Sequence, residues 1–205
     1  MVVRRSRALP ATFFARDTEV VARELLGAVL VSTVAGKRVS GRIVETEAYV
    51  GPHDPASHGA ERIGRTKRNE AMFGPPGIAY VYKIYGVHWC LNAVTHEAEY
   101  PAAVLIRALE PLEGLTVMRR RRFGRATHTS DRDVASGPGK LAAALAIDGT
   151  LNGHPLDRAP LWIEAGMRIP EKSIVCGPRI GITRAAEWPL RFYVRDSAWL
   201  SRRHP

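Results

Sequence analysis

Residues Ile78–Thr95 constrain the fold more than any other part of the chain. The segment is dense in aromatic and β-branched residues, and Gly86 interrupts it near the middle. Such a composition suits a pleated, half-buried surface rather than a helix. A glycine inside a run of this kind marks a chain reversal. The segment therefore reads as two strands, Ile78–Ile84 and His88–Thr95, joined by a tight turn at Tyr85-Gly86-Val87. Side chains alternate along a strand, so Tyr80, Tyr82 and Ile84 share one face while Tyr85 sits at the hairpin tip.

The other elements are read from punctuation and periodicity. Asp17 is an N-cap for a helix over Thr18–Leu26, whose Val20, Val21, Leu25 and Leu26 make an apolar stripe and which Gly27 ends. Val29–Thr33 and Lys37–Glu45 read as strands around the Ala35-Gly36 turn. Gly51–Pro76 is a long polar loop holding His53, His58, Arg62, Arg65, Lys67 and Arg68. Structureless loops beyond about 15 residues are usually functional or disordered, which makes this one a candidate binding segment. Ala103–Leu109 reads as a strand carrying Arg107, and Pro111–Arg122 as a helix ending in consecutive arginines. Phe123–Ser136 is polar and expected to be mobile. Ser136-Gly137-Pro138-Gly139-Lys140 opens an alanine-rich helix to Ile147, and Leu161–Ser201 reads as short strands with a loop at Val175–Trp188. Helices and strands mix without a regular βαβ alternation, which points to an α+β fold rather than a doubly wound sheet. No internal boundary is visible, so residues 10–205 are expected to form a single domain after a flexible basic N-terminus, 1–9.

Charge narrows the partner. Lys+Arg number 30 against 20 Asp+Glu, a formal net charge of +10. Arginine supplies most of the cations, and its planar fork suits phosphate. A basic chain of this size is drawn to polyanions. No apolar run approaches the roughly 20 residues of a membrane span, and the basic start lacks the apolar stretch of a signal peptide. Cys90 and Cys176 form no CxxC pair and read as reduced thiols of a cytoplasmic protein. Neither nucleotide-cradling glycine pattern, GxxxxGK[ST] or GxGxxG, occurs.

Candidate chemistry lies in a few places. Glu45 and Glu47 fall two residues apart on a strand and point to the same side, with Tyr49 following. One of them is a candidate general base; the alternative is a pair of solvated strand-end carboxylates. His53-Asp54-Pro55-Ala56-Ser57-His58 invites a metal reading, yet its spacing matches neither HExxH nor a zinc-finger pair. The aromatic hairpin offers stacking platforms for bases, and Tyr85 could wedge between base pairs, whereas Tyr80 and Trp89 suit the core. Free backbone N–H groups and Lys140 at the start of the 138–147 helix suit an anion. Arg119–Arg122 read as a solvated helix end.

Six strings, in order, resemble the alkyladenine (3-methyladenine) DNA glycosylase family. They are Arg42-Ile43-Val44-Glu45-Thr46-Glu47-Ala48-Tyr49, Met72-Phe73-Gly74-Pro75-Pro76-Gly77, Tyr80-Val81-Tyr82-Lys83-Ile84-Tyr85-Gly86, Arg107-Ala108-Leu109-Glu110-Pro111-Leu112-Glu113-Gly114, Ser136-Gly137-Pro138-Gly139-Lys140-Leu141, and Pro178-Arg179-Ile180-Gly181-Ile182 with Leu190-Arg191-Phe192-Tyr193-Val194. The resemblance implies a curved, mostly antiparallel sheet with surrounding helices and a protruding β-hairpin. It implies a monofunctional enzyme of base excision repair, expected to be a monomer, with no metal or cofactor, acting on double-stranded DNA that contains damaged purines. By resemblance Glu47 is the general base, and Arg107 and the backbone carbonyl of Ile180 hold the attacking water. Tyr49, His58 and Tyr82 wall the flipped base, Asn92 excludes guanine, and Tyr85 is the wedge. Thr66, Lys140 and Gly181 fall on phosphate-contact positions. The rival readings are a non-catalytic nucleic-acid-binding module and a metal-dependent nuclease built on His53, Asp54 and His58.

One outcome depends on charge alone. Binding to undamaged duplex is expected to weaken with salt, at a slope of about −0.9 in log K against log[salt] per neutralised phosphate. A flat response in a fluorescence-anisotropy titration would exclude the polyanion reading.

Overall fold

A computed structural model describes residues 8–126 and 129–202. In chain order the elements are α1 (Ala11–Phe14), α2 (Thr18–Glu24), β1 (Val29–Ser32), β2 (Val39–Tyr49), β3 (Ala79–Ile84), β4 (His88–Thr95), β5 (Ala102–Glu113), α3 (Leu115–Phe123), α4 (Pro138–Leu145), β6 (Asp157–Arg158), β7 (Leu161–Glu164), β8 (Ile174–Gly177) and β9 (Arg191–Val194). The strands form a curved antiparallel sheet in the order β3-β4-β5-β2-β1-β7-β6, with β9 and then β8 branching from β2. The fold is α+β, as the sequence pattern indicates.

The hairpin forms where the aromatic run places it. β3 and β4 pair from Ala79↔Ala93 to Ile84↔His88. Val87 N–H donates to Ile84 O at 3.1 Å across the turn, with Tyr85 at φ 52° and Gly86 at φ 67°. Two successive left-handed residues match the right-handed twist of the flanking strands. The outer edge of β3 is covered: Val81 N–H donates to Asn152 Oδ1 at 2.9 Å and Ala79 N–H to His154 O at 2.8 Å.

Asp17 caps α2, its Oδ1 accepting from the N–H groups of Glu19 and Val20 at 2.9 and 3.0 Å. The helix is shorter than the apolar stripe suggests. Val20 is 41% exposed, so the buried face is built by Val21, Ala22 and Leu25. These pack with Ile43 and Ala48 of β2, Val104 and Ile106 of β5, and Leu141, Ala142 and Leu145 of α4 in the main core.

Several expectations are corrected. Pro111 does not start a helix: β5 runs on to Glu113, because Pro111 lies opposite Gly41 and its missing N–H falls at a register shift. The helix begins at Leu115, after Gly114 at φ 73°. β8 claims Ile174–Gly177, so the loop expected from Val175 starts only at Pro178. Arg119, Arg121 and Arg122 are not a solvated face. Arg119 bonds Thr129 O and the Asp131 carboxylate, while Arg121 and Arg122 donate to Ala144 O, Val34 O and Val134 O. The expected mobile segment from Phe123 contains a short helical turn, Asp131–Asp133, and residues 127–128 lie outside the described residues. At the start of the chain, residues 1–7 also lie outside them. Ala8 and Leu9 belong to the fold, for Ala8 bridges Glu164 and Leu9 N–H donates to Ile163 O at 2.8 Å.

The pairing of β2 with β5 shapes the interior on one side of the sheet. Ile43 faces Leu109, Glu45 faces Ala108 and Thr46 faces Ile106. Val44 is thus an extra residue on β2, and Arg107 an extra residue on β5. The paired bulges sit where β2 changes partner on its other edge, from β1 at Val39–Arg42 to β9 at Glu45–Glu47. Bulges bend a strand and re-aim its side chains. Here Thr46 and Ala48 face the core, while Glu45, Glu47 and Arg107 meet on the other side.

Both glutamates are fully buried, which overturns the solvated strand-end reading. Glu45 accepts from Arg191 Nε at 2.7 Å, Arg107 Nε at 3.2 Å, Ser201 N–H at 2.6 Å and Ser201 Oγ at 2.8 Å. Removing one partner from a buried ion pair strands the other charges. Glu45→Ala is therefore expected to lower stability by about 3–5 kcal/mol in denaturant unfolding. A loss below about 1 kcal/mol, the range of exposed pairs, would show that the cluster is not structural.

Candidate active site

Beside this cluster lies a cavity of about 160 Å³, smaller than the roughly 300–1,000 Å³ common for drug-sized ligands and fit for one flat ring system. β3 contributes Tyr80, Tyr82 and Ile84, the face that strand alternation puts together. β4 adds Cys90 and Asn92, β5 adds Leu105 and Arg107, and β2 ends there with Tyr49. The long loop supplies Ala56 and His58, and the loop after β8 supplies Ile180, Gly181 and Ile182. A larger cavity, about 450 Å³, lies between α2 and residues 165–171, but no predicted site residue lines it.

Glu47 sits directly behind this lining. Its Oε1 accepts from Ile180 N–H at 2.7 Å and lies 3.2 Å from Arg107 Nη1, and its Oε2 accepts from the Tyr49 hydroxyl at 3.1 Å. Burial raises its carboxyl pKa from 4.5, with a smaller push from Glu45; Arg107, the Ile180 amide and the Tyr49 hydroxyl act in the opposite direction. Burial likewise drives the Tyr49 hydroxyl far up, with Glu47 adding to it, so Tyr49 stays a neutral donor.

The aromatic walls are organised by contacts among themselves. The His58 and Tyr82 rings meet edge to face, 4.5 Å between centroids, leaving no gap for a ring between them. Tyr80 stacks on Tyr82 at 5.3 Å, and its hydroxyl pairs with His58 Nδ1 at 2.8 Å. Tyr80 is buried, as expected of a core residue, yet it also lines the cavity. Burial, assisted by the nearby Arg68, lowers the His58 pKa to about 4, so its ring is neutral at physiological pH. Asn92 is buried and donates from Nδ2 to Tyr80 O at 3.0 Å.

The remaining predicted residues lie outside the cavity lining, except Gly181, which lines its rim. Tyr85 is 83% exposed at the hairpin tip. Lys140 donates to Asp133 at 2.9 Å and Ser136 at 3.3 Å, so its ammonium is already paired. Thr66 donates from its hydroxyl to Asn69 Oδ1 at 2.9 Å, closing a turn that Asn69 ties to His58 O at 2.7 Å. Gly181 is exposed at φ 78° with open space where a Cβ would stand.

The metal-nuclease geometry does not form. His53 is exposed, the buried Asp54 carboxylate is taken by Arg179 and backbone N–H groups, and His58 pairs with Tyr80. Among the described residues no three His, Cys, Asp or Glu side chains converge as metal ligands. A pure binding module has no use for a carboxylate held behind an aromatic cavity.

Sequence reasoning missed the Asp54–Arg179 pair altogether. Arg179 donates to both Asp54 oxygens, one at 2.9 Å, and to Ala48 O at 3.0 Å. Its guanidinium carbon lies 4.7 Å from the centre of the Tyr49 ring. The only signals were indirect: Asp54 within the apparent metal motif, and Arg179 beside Ile180.

Comparison with known proteins gives the family. Residues 12–198 match the family described as methylpurine-DNA glycosylase (MPG). A relative named "Putative 3-methyladenine DNA glycosylase" from Rhodopseudomonas palustris is 52% identical over 94% of this chain and 87% of its own length. Relatives of the same name from Carboxydothermus hydrogenoformans and Methanoculleus marisnigri are 46% and 49% identical, each over 95% of this chain and 99% of their own length. Among the described residues no helix is long and apolar enough to cross a membrane. With a family match across nearly the whole chain and an aromatic cavity backed by a buried carboxylate, this chain belongs to the methylpurine-DNA glycosylase family, DNA-binding glycosylases of the alkylpurine type.

Proposed function

We propose that the protein is a monofunctional glycosylase that flips an alkylated or deaminated purine out of duplex DNA and hydrolyses its N-glycosidic bond with a water activated by Glu47. The observation that carries this reading is the carboxylate of Glu47, buried against a base-sized aromatic cavity and gripped by Arg107 and the Ile180 amide. Since His58 and Tyr82 touch, an extruded base enters between that pair and Tyr49. Stacking on such walls is worth about 1–3 kcal/mol per base, which offsets part of the cost of unstacking.

In the bond-breaking step the C1′–N bond opens and its electron pair leaves with the base, through an oxocarbenium-like sugar. Glu47 takes a proton from the water, whose oxygen bonds to C1′. A positively charged alkylated purine leaves as a neutral base and needs no acid. Arg107 and the Ile180 backbone hold the carboxylate and the water in register. Asn92, with its amide fixed on Tyr80 O, stands where a purine 2-amino group would enter and so disfavours guanine. Thr66, Lys140 and Gly181 contact the phosphate backbone, Lys140 by exchanging Asp133 for a phosphate oxygen. The partner is double-stranded DNA bearing damaged purines, bound by one copy of the chain, in the cytoplasm.

Glu47→Gln is expected to cut single-turnover base release by about 10²–10⁴-fold while lesion binding persists. A variant retaining near-parental release would overturn the assignment. Stability carries a second signature. Because the folded carboxyl has a raised pKa, the folded state holds that proton more tightly than the unfolded chain does, so this group's contribution to stability falls as pH rises through the raised value. Glu47→Gln is therefore expected to melt at or above the parental temperature at pH 7. The difference should shrink as pH falls towards 4.5.

Tyr85 occupies a left-handed backbone position that costs an L side chain roughly 1–2 kcal/mol, and it packs into no core cluster. Folding does not account for an aromatic ring there, but insertion between base pairs does. Tyr85→Ala is expected to slow release strongly from a well-paired lesion and weakly from a mismatched one, where unstacking is cheap. An equal loss on both substrates, with a lowered melting temperature, would return Tyr85 to a structural role.

A further inference from the structure

The Asp54–Arg179 pair occupies an unusual place. Both side chains are fully buried. The guanidinium lies over the Tyr49 ring at 4.7 Å, yet Arg179 does not line the cavity. Tyr49 is therefore backed by a fixed cation and meets the cavity on the side that the cation leaves open. Among the described residues Arg179 Nε has no hydrogen-bond partner, and the guanidinium is balanced by Asp54 and the Ala48 carbonyl. The Asp54 carboxylate has little freedom to move away. It also accepts from Ala56 N–H at 3.0 Å and Val50 N–H at 3.3 Å, which anchors the loop leading to His58.

This arrangement matters for any charged ligand stacked on Tyr49. A π face attracts a cation, but a second cation behind the same ring repels it through a medium of low dielectric. The carboxylate of Asp54 cancels that repulsion. We propose that the buried Asp54–Arg179 pair is a specificity determinant, setting the charge behind Tyr49 and thereby the preference of the pocket for cationic over neutral purine bases. It deepens the glycosylase reading and rests on it. Neither residue touches the base; both act through Tyr49.

The observable is a ratio. Single-turnover release is measured from duplexes carrying 7-methylguanine, which is cationic in DNA, and hypoxanthine, which is neutral. Asp54→Asn keeps the side-chain shape and leaves Arg179 uncompensated. It is expected to lower the cationic-to-neutral ratio by about tenfold, the scale of a desolvated cation–π contact. Arg179→Gln leaves the anion uncompensated and is expected to raise the ratio. The double variant removes both charges and is expected to return it towards the parental value, even where absolute rates fall. Loss of loop order alone would move all three variants in one direction or leave the ratio fixed, and either result overturns the proposal. If Asp54→Asn fails to fold, the rise in Arg179→Gln and the restored ratio in the double variant still decide it. Parental protein that releases neither base would instead overturn the glycosylase reading itself, which keeps the two failures distinct.

Discussion

One guanidinium, that of Arg107, is shared by two carboxylates buried in the same strand. Glu45 and Glu47 each stand 3.2 Å from it, through different nitrogens. Arg191 supplies a second cation to Glu45, at 2.7 Å, and Ile180 N–H supplies a hydrogen bond to Glu47. Without these partners two anions could not remain dry and so close together. The glutamates divide the work. Glu45 is saturated by structural donors from β9 and the chain end, whereas the partners of Glu47 come from the residues that line the cavity.

The paired bulges decide on which side of the sheet that sharing takes place. Regular pairing through Val44 and Arg107 would keep strict alternation along both strands. An extra residue on each strand reverses the alternation between Ile43 and Thr46 and between Ile106 and Leu109, so Glu45, Glu47 and Arg107 together leave the core face that Ile43 and Leu109 occupy while the register on either side stays aligned. The same bend coincides with the point where β2 exchanges β1 for β9, so the sheet forks where its charges are concentrated. A core of this kind sacrifices stability for a carboxylate of raised pKa, the common condition of a catalytic base.

What could be read from the sequence depends on the range of the interaction. The Tyr80–Tyr82–Ile84 face, the exposed tip at Tyr85 and the cap at Asp17 depend on neighbours within a few positions, and the structure has all three. The bulges went unread because both faces of these strands carry apolar residues, with Val44 and Ala108 packed in a second cluster, so the reversed alternation between Ile43 and Thr46 does not stand out. The burial of Glu45 depends on Arg191 and Ser201, 146 and 156 positions away. Asp54 and Arg179 are 125 positions apart, and nothing local to either residue announces the other. Pro111 misled for another reason: a proline reads as a helix start unless the opposing strand reveals that its missing N–H lies at a bulge. The site residues named by family resemblance include those that meet at the cavity, Tyr49, His58, Tyr82, Asn92, Arg107, Ile180 and Gly181, with Glu47 behind them.

The cover over β3 has a consequence for how the protein behaves between encounters with DNA. An aromatic-rich strand at the border of a sheet is a template onto which a second chain can add, the first step of edge-to-edge aggregation. Here the backbone donors of Ala79 and Val81 are already engaged by the 152–154 segment, and Lys83 puts a charge on the outer half of the strand. Asn152 and His154 thus serve as gatekeepers. They close the edge that an added strand would use, while Tyr85 and Val87 at the hairpin tip stay exposed.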